Sequence, residues 1–135
     1  MPDEAALHDP FDLSDPLLVR VRELALALPG AAEKLVVGHP ASFTRKVFAY
    51  FGMSQKVAGE WEHRPPTLSV LLPEDERRAL LDRPDVTVPG YVGPSGFLAF
   101  RLDGDPDWVE VAELLEESFR QTAGVRLVRQ LEERG

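Results

Sequence analysis

The sequence predicts an α+β fold: an antiparallel sheet with helices packed on one face. Three observations carry this. One amphipathic helical pattern follows residue 15 and another follows residue 105. Between them lie short runs rich in aromatic and β-branched residues, punctuated by Gly and Pro. A single helical stretch interrupts those runs, so the strict strand–helix alternation of a parallel sheet is missing.

The first helix is expected over 16–28. Asp15 caps it and Pro16 occupies the first helical position, where no N–H is needed. Leu17, Val21, Leu24 and Leu28 recur on one face, and Pro29-Gly30 ends the helix. A short strand, Leu35-Val36-Val37, is expected to stop at Gly38-His39-Pro40. Ser42-Phe43-Thr44 and Lys46 to Phe51 are the next strands. Strict alternation puts Val47, Ala49 and Phe51 on one face, with Lys46, Phe48 and Tyr50 on the other. Bulk on both faces marks an interior strand. Met53 to Pro66 reads as a loop, followed by a strand over Thr67 to Leu72.

The second helix, 73–82, opens with Pro73-Glu74-Asp75-Glu76, acids that complement the helix dipole. Val86-Thr87-Val88 is a short strand and Pro89 to Gly96 a loop. Phe97 to Leu102 is the last strand. The third helix, 106–121, is expected to be capped by Asp105 and to carry a Trp108, Ala112, Leu115, Phe119 stripe. Gly124 breaks it, and Val125, Val128 and Leu131 begin a short closing helix.

At 135 residues the chain suits one domain. Without cysteine it has no disulfide, thiolate nucleophile or cysteine-ligated metal, which fits a reducing compartment. No apolar run reaches the roughly 18 residues of a membrane span. Acids at Asp3 and Glu4 stand where a signal peptide carries positive charge, so a cytoplasmic protein without a membrane partner is expected.

The net charge of −8 opposes indiscriminate binding to nucleic acid. It is unevenly spread. Asp3, Glu4, Asp9, Asp12 and Asp15 lie in the first fifteen residues. Without those five acids the other 120 residues carry −3. Lys34 to Gly59 and Ser118 to Leu131 contain basic residues and no acid. An acidic segment, 1–15, is therefore expected before a single α+β domain, 16–135.

No motif for dinucleotide binding, a phosphate loop, a serine nucleophile elbow or a zinc protease occurs. His8, His39 and His63 are scattered. Ser95, in Gly93-Pro94-Ser95-Gly96, is the nearest candidate nucleophile, but no base or oxyanion donor accompanies it. The expectation is a binding protein without cofactor or metal rather than an enzyme. Phe43 to Tyr50 interleaves aromatics with Arg45 and Lys46, a composition suited to nucleic acid. Arg45 and Lys46 are placed at a hairpin turn, with Arg64 and Arg101 extending the patch. The alternative is a small-ligand or protein-interaction module using His39, Trp61, His63, Tyr91 and Ser95.

Leu26-Ala27-Leu28-Pro29-Gly30-Ala31, then Gly38-His39-Pro40-Ala41-Ser42-Phe43, then Lys46-Val47-Phe48-Ala49 resemble the opening of MmcQ/YjbR-like proteins. Leu68-Ser69-Val70 before Pro73-Glu74, Gly90 to Phe97, and Leu114 to Phe119 are similar to later parts of that family. The likeness runs from about residue 16 to 132. It implies a compact α+β domain of double-wing, DNA-binding-like architecture, with DNA as a partner. The sequence departs from the family at Phe97, where Trp is usual, and at Phe119, where Tyr is usual. Leu71 replaces a common lysine, and the Phe43 to Lys46 spacing is about two residues short. The last two departures weaken the DNA implication.

Overall fold

Asp15 starts the fold by accepting the Leu17 N–H at 2.8 Å, with Pro16 behind it in the first helical turn. The computed structural model describes residues 15–36, 38–52, 56–57, 60–61, 66–89, 95–102 and 105–134. Its elements are α1 (Pro16–Leu26), β1 (Ala32–Val36), β2 (His39–Phe43), β3 (Val47–Phe51), β4 (Lys56–Val57), β5 (Glu60–Trp61) and β6 (Thr67–Leu71). They continue with α2 (Glu74–Leu80), β7 (Val86–Thr87), β8 (Phe97–Arg101), α3 (Trp108–Thr122) and α4 (Val125–Glu133).

Six strands form one sheet in the order β1-β2-β3-β6-β8-β7, with every neighbouring pair antiparallel. The small β4–β5 hairpin is a separate sheet. β6 and β7 both flank β8, so they run parallel, and α2 makes the crossover between them. The α+β expectation holds.

α3 packs on β3 and β6, and α1 packs on α3 and β2. They cover the face that carries Ala49, Phe51, Leu68, Val70, Leu98 and Phe100. Leu18, Val21 and Ala25 make the buried stripe of α1, while Leu17, Leu24 and Leu28 flank it. α3 contributes Val111, Leu115 and Phe119. Burial of side chains of this size stabilises by about 1.5–3 kcal/mol each. The opposite sheet face has its own smaller cluster of Ala41, Tyr50 and Phe97.

Several expectations need correction. β1 does end before Gly38, which turns at φ +78°, but His39-Pro40 already begin β2, ahead of the expected Ser42 start. Pro40 has no N–H to give, and the β2–β3 ladder begins only at Ala41. β1 accordingly spans Ala32–Val36, earlier than expected.

Phe48 does not share a face with Tyr50. The register slips between Ser42↔Ala49 and Phe43↔Val47, leaving Phe48 as the extra residue of a bulge. Bulges re-aim side chains. Phe48 joins the main core, with its ring 5.7 Å from Phe119 and nearly perpendicular, whereas Tyr50 packs on Phe97.

The 53–66 stretch contains the β4–β5 hairpin rather than only loop. Asp107, not Asp105, caps α3; it accepts from the Val109 and Glu110 N–H groups.

Candidate phosphate-contact site

The β2–β3 connection is tight. The Thr44 N–H donates to the Lys46 carbonyl at 3.2 Å, which leaves Arg45 and Lys46 exposed at the tip. Arg45 then folds back on α3. Its Nε–H donates to the Thr122 carbonyl at 3.1 Å, at the electronegative C-terminal end of that helix. Its guanidinium lies over Gly124, whose hypothetical Cβ would be 3.6 Å from Nη2. Gly124 itself holds φ +91°, a conformation that favours glycine, and it turns the chain from α3 into α4.

These residues border an open surface cavity of about 510 Å³ lined by Gly30, Thr44, Arg45 and the Ala123–Leu127 segment, including Arg126. No carboxylate lines it. The first turn of α4 also lacks an acid and a capping side chain. The leading N–H groups of a helix have no intrahelical acceptors, so this end of α4 is electropositive.

Five other arginines are neutralised. Arg20, Arg22, Arg78, Arg83 and Arg120 each pair with a carboxylate. Among the described residues, Arg45, Arg77, Arg126, Arg129 and Arg134 pair with no carboxylate, and of these Arg45 and Arg126 line the cavity. Lys34 sits 4.5 Å over the Phe43 ring and does not line the cavity.

The other expected contacts do not join this site. β3 and β8 run parallel, both antiparallel to β6. Phe51 and Phe100 share the Leu68 row, so Arg101 lies just beyond that row. Arg45 is six residues before Phe51, about 20 Å away at roughly 3.3 Å per residue. Arg64 lies outside the described residues. Sequence reasoning missed Arg126, although it lies in the acid-free Ser118 to Leu131 window and follows the Gly124 break.

The expected ligand residues are also dispersed. His39 hydrogen-bonds to the backbone of Phe51 and Gly52, at the Arg101 end of the sheet. Burial holds its imidazole below the ordinary histidine range, against the opposing effect of those bonds. Ser95 is exposed before β8, at the other end. The backbone of Trp61 belongs to β5, while His63 and Tyr91 lie outside the described residues. On the sheet face away from α1 and α3, the Thr67 and Ser69 hydroxyls are buried without a hydrogen-bond partner. Among the described residues, no three His, Asp or Glu side chains gather to hold a metal ion. None of their helices is long and apolar enough to cross a membrane.

No curated protein matches the chain. The family model described as YjbR matches residues 26–121, which spans the sheet, the Arg45 hairpin and nearly all of α3. That match covers most of the sequence, and the chain belongs to the YjbR family.

Proposed function

We propose that this YjbR-family domain binds DNA by contacting backbone phosphate with Arg45 and Lys46 on the β2–β3 hairpin, joined by Arg126. One observation carries the reading: Arg45 and Arg126 line a space free of carboxylates, whereas Arg20, Arg22, Arg78, Arg83 and Arg120 are each ion-paired. Uncompensated guanidinium groups favour a fork-like contact with phosphate. The two hairpins, β2–β3 and β4–β5, are the candidate wings.

The overall −8 charge makes this binding modest and strongly dependent on ionic strength. Fluorescence anisotropy with duplex DNA tests it. Wild type binds at low salt, and R45E/K46E weakens binding and flattens the salt dependence. Absence of wild-type binding at low salt overturns the reading.

A second reading, a small-ligand module, is favoured by the buried, unpartnered Thr67 and Ser69 hydroxyls on the sheet face away from α1 and α3. His39 would serve it from β2. A metabolite thermal-shift screen that stabilises wild type but not S69A supports this reading. A screen in which nothing stabilises wild type removes it.

A further inference from the structure

We propose that the cavity behind the β2–β3 hairpin is a seat for a terminal phosphate monoester, a class of ligand distinct from the internal phosphodiester of a nucleic acid strand. This rests on the phosphate-contact reading of Arg45.

Two uncompensated guanidinium groups, Arg45 and Arg126, line the same space. Arg45 is already oriented, because Nε is spent on the Thr122 carbonyl and the Nη groups remain. Thr44 closes one side of the same space, its hydroxyl oxygen buried beneath the surface. The leading N–H groups of α4 reinforce the same polarity.

Charge selects the ligand class. A phosphate monoester is close to a dianion at neutral pH and matches two guanidinium charges. An internal phosphodiester brings one charge and needs the chain to leave on both sides. The roughly 510 Å³ cavity is large enough for a phosphate with the first atoms of its ester. Either a 5′-phosphorylated nucleic acid end or a free phosphorylated metabolite presents this chemistry.

The test uses the full chain in phosphate-free buffer. Titration calorimetry measures inorganic phosphate. Anisotropy compares two oligonucleotides of one sequence, one 5′-phosphorylated and one 5′-hydroxyl. The phosphorylated strand is expected to bind about tenfold more tightly, as one added set of charge-assisted hydrogen bonds implies. Inorganic phosphate should compete that advantage away. R126Q should abolish it, while R129Q, one turn further along α4, should retain it. Matching melting temperatures without phosphate confirm that the variants fold.

Equal binding of both strands together with no uptake of inorganic phosphate overturns the seat but leaves the DNA reading standing. Arg126-dependent uptake of inorganic phosphate with neither strand bound supports the seat and overturns the DNA reading.

Discussion

Ser118 on α3 donates its hydroxyl proton to the Phe48 carbonyl on β3 at 2.6 Å. The same oxygen accepts the Leu71 N–H at 2.9 Å. One fully buried hydroxyl therefore joins the helix to two adjacent strands beside the Phe48 bulge. S118A strands a buried carbonyl and a buried N–H. It should cost about 1–3 kcal/mol. Urea unfolding should show a lower midpoint with an unchanged slope, because the surface exposed on unfolding is the same.

Phe48 is buried against Phe119 in an edge-to-face pair. F48A should destabilise by about 3–5 kcal/mol through lost burial and a residual cavity. A double-mutant cycle with F48L and F119L should show a coupling of about 0.5–1.5 kcal/mol. Additive effects would mean that the ring geometry contributes nothing beyond burial.

Arg83 clamps β7 to α3, contacting Asp85 at 2.7 Å and Glu110 at 2.8 Å. Hydrogen bonds to both carboxylates hold its guanidinium well above the usual arginine range. The Arg83 guanidinium also holds the Asp85 carboxyl below the usual carboxylate range. These side chains are about one third exposed, so solvent screens the pair and R83Q should cost about 1 kcal/mol or less. Asp85 contributes stability above its unfolded pKa, and that contribution is lost as pH falls through its lower folded value. The melting difference between wild type and R83Q should therefore shrink in acid.

His39 supplies a second pH dependence. Its folded pKa is depressed by burial, so the unfolded chain binds the proton more readily. The neutral ring's contribution is complete above about pH 6.5 and declines as pH falls from there toward the folded value. Melting temperature should drop over that window, and H39Q should flatten the drop. Parallel curves for wild type and H39Q would assign the dependence to other groups.

Arg101 provides a geometric control for DNA binding. It lies at the sheet end remote from Arg45. R45E should weaken DNA binding and lower the salt slope by about one unit per lost phosphate contact. R101E should change the slope much less. Equal effects would indicate diffuse electrostatics instead of a contact at the hairpin.

Local chemistry made most elements legible in advance. Asp15-Pro16 marks a helix start because one side chain caps an orphan N–H and the proline needs none. Phe97 to Arg101 reads as a strand from its aromatic and aliphatic run. The Phe48 bulge was hidden because alternation assumes an unbroken ladder, and the slip depends on how β2 pairs with β3. The Asp105 expectation failed for a related reason. Acidic residues two apart can each cap a helix, and only the backbone geometry selects Asp107.

The sequence by itself determined the fold class, an acid-rich first fifteen residues and two acid-free basic windows, since these follow from composition, period and order along the chain, while the family followed from the resemblance of its short motifs. Tertiary structure decided which basic residues meet. Arg45 and Arg126 are 81 positions apart, yet the tight β2–β3 turn and the Gly124 bend bring them to one cavity. Arg45, in the turn before β3, and Arg101, at the end of β8, belong to one sheet, yet the parallel run of β3 and β8 holds them at opposite ends. Charge is a property of residues, but an electrostatic site requires convergence, and strand register and chain reversal set that.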